Sequence, residues 1–145
     1  MIALIQRVNY ARLAIGGESH AEIDRGLLAL IGVEKSDDTA AAEKLLHKIL
    51  AYRVFGDEEG KMNLSLKDVG GGLMLVSQFT LAASTDKGLR PSFSSAMPPA
   101  EAEALYDELV EKARAAYSPV CSGVFAADMN IALENNGPVT FLLRS

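Results

Sequence analysis

Residues 26–33, Gly-Leu-Leu-Ala-Leu-Ile-Gly-Val, are apolar without a break. A half-exposed strand alternates polar with apolar residues, and a surface helix repeats its apolar positions with the helical period. A short unbroken run does neither, and is expected of a strand buried on both faces. The rest of the chain has to be arranged around it. Residues 2–5 read as a strand that begins at once. From Val8 to Ile15 the pattern alternates, with Tyr10, Arg12 and Ala14 on one side and Ala11, Leu13 and Ile15 on the other. Gly16-Gly17 then turns the chain toward His20–Ile23, which makes a hairpin.

Two segments carry the helical period. After Asp37-Asp38, the residues Ala42, Leu45, Leu46, Ile49 and Leu50 form one stripe, with both aspartates at the positive end of the expected helix. Pro98-Pro99 opens a second helix, a position that suits proline. Its apolar face is Ala102, Leu105, Tyr106, Leu109, Val110 and Ala113. Asp57-Glu58-Glu59-Gly60 is a turn. Gly70-Gly71-Gly72 precedes an expected strand over 73–82; no Gly-Lys-Ser/Thr follows, so the glycines read as a turn and not as a phosphate loop. An ordered loop rich in Ser, Gly and Pro spans 83–97, and strands are expected over 122–134 and 138–143. The pattern predicts about six or seven strands and two main helices that do not alternate, which disfavours a doubly wound sheet. The expected fold is α+β: a single domain over 1–145, with a curved mixed sheet or barrel-like core flanked by the two helices.

Composition narrows the function. Hydrophobic residues make up 49% and charged residues 23% of the 145, a globular balance. No apolar run approaches the length that crosses a bilayer, so no membrane association is expected. No signal peptide is visible. The lone Cys121 allows no internal disulfide, which fits a reducing cytoplasm. The net charge of −5 disfavours broad nucleic-acid binding, and no DNA partner is expected. Much of that acidity lies on one helix, at Glu101, Glu103, Asp107, Glu108 and Glu111. Room remains for a local basic rim at Lys61, Lys87 and Arg90, enough for a protein that grips only the end of an RNA.

The polar side chains of Ser77-Gln78-Phe79-Thr80 sit inside an apolar run. Buried Gln and Thr need partners or each costs about 1–3 kcal/mol. The segment is therefore either a satisfied network at a sheet edge or the wall of a binding cleft. On a strand, Ser77 and Phe79 share one face, Gln78 and Thr80 the other. Thr80 as a nucleophile would need a general base. The two histidines, His20 on the hairpin and His47 on the first helix, each stand alone. No nucleophile elbow and no metal-ligand spacing occur, and no cofactor is expected. A hydrolase built this way has to take its chemistry from oriented backbone groups or from its substrate. An aminoacyl ester beside a free ribose hydroxyl is such a substrate. Gly137-Pro138 reads as a loop entering the last strand, or as a rigid pair of carbonyl acceptors with no side chain in front, since proline permits a cis bond.

Four segments, taken in order, closely resemble the D-aminoacyl-tRNA deacylases: Met1-Ile2-Ala3-Leu4-Ile5-Gln6-Arg7-Val8, Ser77-Gln78-Phe79-Thr80-Leu81, Arg90-Pro91-Ser92-Phe93 and Asn135-Asn136-Gly137-Pro138-Val139-Thr140. The resemblance runs the length of the chain. It implies a tight homodimer that hydrolyses D-aminoacyl-tRNA, and mischarged glycyl-tRNA(Ala), by a reaction that leans on the RNA. It implies catalytic roles for Ser77, Gln78, Phe79 and Thr80, with backbone N–H groups holding the developing oxyanion. It also implies that a Gly137-cis-Pro138 pair from one subunit enters the other's site, binds the substrate amino group and excludes an L side chain. Asn136 braces that turn. Arg7 holds the motif or is a surface strand residue, and Met129 lines the pocket or is core. Lys87, Arg90 and Phe93 either meet the acceptor end of the tRNA or belong to a solvated loop anchored by Phe93. The alternative is a non-catalytic nucleic-acid-binding relative of the same fold.

Overall fold

The computed structural model describes residues 1–86 and 88–145. The strands are β1 Ile2–Ile15, β2 Glu18–Ile23, β3 Gly26–Gly32, β4 Phe55–Gly56, β5 Met62–Leu64, β6 Gly72–Ser77, β7 Val120–Ser122 and β8 Met129–Arg144. The helices are α1 Thr39–Ala51, α2 Leu66–Val69 and α3 Pro99–Ala116, with a 3-10 turn at Phe79–Ala82. The main sheet runs β2-β1-β3-β6-β7, and β8 pairs with β1. Pairing is antiparallel around β1 and parallel from β3 to β6 to β7. The two parallel steps need crossovers, and α1 and α3 lie within them.

β1 is long enough to serve two neighbours on one side. Its first half pairs with β3 and its second half with β2, while β8 follows it from Ile2 to Ile15 on the other side. The sheet therefore curls into a nearly closed barrel. Cys121 on β7 donates weakly to the Glu22 carbonyl of β2 at 3.8 Å. Burial pushes that thiol's pKa up, which makes it a poor nucleophile.

The apolar run of β3 is explained by two layers. Leu27, Ala29 and Ile31 face α1 and α3 in the larger core, beside Met1, Ala3, Ile5, Leu73 and Leu75. Leu28 packs with Val8, Ala11, Leu13, Ile23, Met74 and Val76 on the other face, where Leu30, Met129, Ile131 and Leu133 are only partly covered. The buried faces of α1 and α3 are the two stripes seen in the sequence. Tyr106 donates to the Leu75 carbonyl at 3.0 Å, and burial raises its phenol pKa.

Several boundaries differ from the sequence reading. Only Asp38 caps α1, accepting from Ala41 N–H at 2.8 Å; Asp37 binds the Met1 ammonium and the Glu34 N–H. The small ribbon β4–β5 and the short helix α2 raise the element count, and α2 is closed by a reciprocal Ser65–Asp68 capping box. The strand expected over 73–82 stops at Ser77. Gln78 N–H makes the last bond to β3, at the Ile31 carbonyl, and Leu81 and Ala83 N–H then fold back to the Gln78 and Thr80 carbonyls. The shared strand faces expected for Ser77/Phe79 and Gln78/Thr80 do not exist. Bare Gly32 admits this turn, since a Cβ there would lie 2.9 Å from the Leu81 Cβ. At the other end of the chain, the two expected strands are one, β8, which begins at Met129 and passes through Gly137-Pro138.

Candidate active site

β3 and β6 run parallel, and ligands in sheets with parallel strands favour the carboxyl ends of those strands. At that end lies a cleft of about 500 Å³. Its walls are mostly apolar, from Ile31, Val76, Phe125, Met129 and Ile131, and Ser77, Gln78 and Phe79 form one rim. Three of the four expected catalytic residues and Met129 are thereby brought together. Thr80 follows directly and is exposed.

The turn after β6 determines what this rim offers. Gln78 Nε2 donates to Thr80 Oγ1 at 2.6 Å, a local bond that links the two side chains. No base touches Thr80 in this bond pattern. His20 and His47 are both exposed and lie on β2 and α1. The N–H groups of Gln78, Leu81 and Ala83 are engaged, whereas those of Phe79 and Thr80 have no acceptor among the described residues. Two neighbouring free donors at a cleft rim suit a developing oxyanion. Among the described residues, no group of three or more His, Cys, Asp or Glu side chains is placed to hold a metal.

Arg7, Asn136, Gly137 and Pro138 form a second constellation, and none of them lines the cleft of its own chain. The β1–β8 register jumps from Gln6↔Thr140 to Val8↔Asn135, so residues 136–139 bulge opposite Arg7. Arg7 Nε donates to the Asn136 carbonyl at 2.9 Å, Nη2 to Asn136 Oδ1 at 3.3 Å and Nη1 to the Val54 carbonyl at 2.5 Å. Arg7 is half-buried, so it braces the bulge and is not a free surface residue. Asn136 Nδ2 in turn donates to Asn9 Oδ1 at 2.6 Å. The Gly137–Pro138 bond is cis, and Gly137 has φ +142°. Both residues are exposed.

Asn135 is the residue of the bulge to which sequence reasoning gave no role of its own. Its Oδ1 accepts from Val139 N–H at 2.7 Å, and its Nδ2 reaches the Val139 carbonyl at 3.3 Å. The side chain clamps both ends of the bulge. The signal was present in the Asn-Asn pair before Gly-Pro, because asparagine readily replaces backbone partners in tight loops.

The expected RNA-contacting residues are placed in part. Phe93 packs against Phe79 with ring centroids 5.0 Å apart and the rings tilted by 42°, so that segment joins the cleft mouth. Arg90 is exposed on the same loop. Lys87 lies outside the described residues.

Residues 4–144 match the family described as D-Tyr-tRNA(Tyr) deacylase. The chain belongs to the D-Tyr-tRNA(Tyr) deacylase family. Curated members similar to it include a D-aminoacyl-tRNA deacylase of Stutzerimonas stutzeri (strain A1501), 64% identical over 145 residues and covering 100% of both chains. A D-aminoacyl-tRNA deacylase of Pseudomonas aeruginosa (strain LESB58) is 63% identical with the same coverage. Among solved structures, the c-Myc DNA Unwinding Element Binding Protein superposes with a TM-score of 0.95 at 40% identity, over 100% of this chain and 99% of its own. A probable eukaryotic D-amino acid tRNA deacylase has a TM-score of 0.87 at 17% identity, over 98% and 97%, and shares the fold. Both solved structures therefore share the fold of this chain.

Proposed function

We propose that this chain hydrolyses the ester of D-aminoacyl-tRNA, releasing the D-amino acid and free tRNA, and that it also accepts mischarged glycyl-tRNA(Ala). Family membership supports the deacylase reaction. The single observation that carries the mechanism is the rim of the cleft, with two unengaged backbone donors and no nucleophile–base pair. Water attacks the ester carbon, and the N–H groups of Phe79 and Thr80 hold the oxyanion, a term worth about 3–4 kcal/mol per donor. The neighbouring ribose hydroxyl helps to activate water, and the 3′-oxygen leaves with a proton.

Chirality is set by the Gly137–Pro138 bulge of a second copy. The bulge is rigidly clamped yet exposed, and it misses the cleft of its own chain, which supports a role across a homodimer. β8 offers further support. Among the described residues it pairs only with β1, and an unpaired edge is a ready surface for another copy. In that arrangement the bulge carbonyls receive the substrate amino group and leave no space for an L side chain, which is selectivity by steric rejection. Glycine has no side chain to reject. Arg90 and Lys87 meet phosphates of the acceptor end. The reducing cytoplasm suits the single thiol, and among the described residues no helix is long and apolar enough to cross a membrane.

The solved relative named for DNA binding favours a second reading, a nucleic-acid binder that keeps the fold. One paired assay separates the two. At matched low enzyme concentration, D-tyrosyl- or D-aspartyl-tRNA should be hydrolysed and the L forms left nearly intact. Equal rates for both enantiomers would remove the chiral gate, and binding without hydrolysis of any form would favour the second reading.

A further inference from the structure

Asn136, the residue before Gly137, is held at both ends of its side chain. Arg7 Nη2 donates to its Oδ1 at 3.3 Å, and its Nδ2 donates to Asn9 Oδ1 at 2.6 Å. The bond to Asn9 is the shorter, so Asn9 has the tighter hold. Asn9 Nδ2 in turn donates to Glu134 Oε1. Both Asn9 and Glu134 lie just outside the segments that carry the family resemblance. The strand register explains why Asn9 reaches the bulge. Arg7 and Asn9 are the β1 residues without a partner in β8, and they flank Val8, which pairs with Asn135. From Val8↔Asn135 to Tyr10↔Glu134, β1 advances two residues and β8 one. The extra residue is Asn9, and such a bulge re-aims a side chain.

The chain of bonds from Arg7 through Asn136 and Asn9 to Glu134 runs in one direction only. A guanidinium can only donate, and an ionised carboxylate can only accept. Between those ends, each amide must turn its oxygen toward Arg7 and its nitrogen toward Glu134. Flipping either amide would set like atoms against each other at both of its contacts. The Asn136 carbonyl also accepts from Arg7 Nε at 2.9 Å, so the peptide leading into Gly137 is tied through its oxygen as well as through the side chain. We propose that Asn9 and Glu134 are positioning residues for the chiral gate: they fix the Asn136 amide and, through it, the direction in which the Gly137–Pro138 carbonyls point. This rests on the gate reading above and deepens it. Neither residue lines the cleft, so their effect reaches the substrate only through the bulge.

The test reads the ratio of kcat/KM for D-tyrosyl-tRNA over L-tyrosyl-tRNA. Asn9→Ala removes both bonds and should lower the ratio about three- to tenfold, the range one exposed hydrogen bond spans. Asn9→Asp keeps an acceptor for Asn136 but sets a carboxylate against that of Glu134, and should lower it similarly. Adding Glu134→Gln to Asn9→Asp supplies a donor at position 134 and should restore the ratio. Glu134→Gln alone keeps an acceptor for Asn9 and should stay near the wild type. A merely structural role predicts no such rescue. A second measurement needs no catalysis. In 15N-labelled protein the Asn136 side-chain amide should exchange slowly with water, and faster in Asn9→Ala. An unchanged ratio in either Asn9 variant would overturn the proposal, and so would a double variant no better than Asn9→Asp. Losses that track a dimer falling apart on a sizing column would overturn it too. A wild type with equal rates on both enantiomers would sink the gate reading itself, and the Asn136 exchange would still decide whether Asn9 holds the bulge.

Discussion

At Gly137 the backbone requires glycine for two separate reasons. Its φ of +142° lies where side chains are strained. A Cβ would also stand 2.6 Å from Val139 Cγ2 and 3.1 Å from Arg7 Nη2. Gly137→Ala should therefore displace the bulge, cost about 1–3 kcal/mol in urea unfolding, and abolish discrimination between D and L substrates in a deacylation assay. Arg7→Ala removes three donors from the Asn136 and Val54 acceptors. These bonds are only partly buried, so the fold should survive with a loss of about 1–3 kcal/mol. Activity should fall much further, and circular dichroism beside kinetics separates the two effects. Thr80 presents the opposite case. Its hydroxyl accepts from Gln78 and meets no base, so Thr80→Ala should retain substantial activity, while a substrate lacking the terminal 2′-hydroxyl should be turned over far more slowly. A Thr80→Ala protein that binds substrate but is inert would restore threonine as the nucleophile.

At the scale of elements, short-range patterns were legible and boundaries set by distant partners were not. The stripes of α1 and α3 followed from the helical period, and β3 from its unbroken apolar run. The end of β6 could not be read locally, because it depends on where β3 and β7 stop offering partners. Ser77–Thr80 still stood out as a candidate, since polar residues in an apolar run require an explanation in any geometry, and Ser77, Gln78 and Phe79 do line the cleft. Gly-Pro read as a turn, yet β8 continues through it because Asn135 and Arg7 replace the missing ladder bonds. The helix α2 was announced by Ser65 and Asp68, a capping pair passed over in a four-residue element. That pair gives a prediction in pH. The Ser65 hydroxyl and N–H hold the Asp68 carboxyl below its usual 3.8, and Asn63 with nearby backbone groups does the same for Asp57. A carboxylate lowered by folding adds stability above its unfolded pKa, and that stability is lost as pH falls through the folded value. Asp68→Asn should lower the urea midpoint at pH 7, and the gap from wild type should close as the pH falls below 3.8 through the lowered folded value.

For the whole molecule, the central expectation is that each site draws on two chains. A subunit disabled at Pro138 and another disabled across Ser77–Thr80 should be inactive as separate homodimers. Mixed and allowed to exchange, they should recover one working site per heterodimer. Folded heterodimers that stay inert would place the whole site within one chain. The same arrangement predicts that activity falls on dilution together with the dimer fraction, measurable by sedimentation. Met129, at the wall of the cleft, and Gly137, in the bulge proposed to serve the cleft of a second copy, lie on the same strand. Eight residues of chain hold them at most about 26 Å apart. In the proposed dimer β8 works as a ruler, marking one cavity at its start and the other partway along. Deleting a single residue between the two marks would shorten the ruler and turn one set of side chains to the wrong face. Lineages of this protein should tolerate many substitutions between residues 130 and 136, but almost no change in their number.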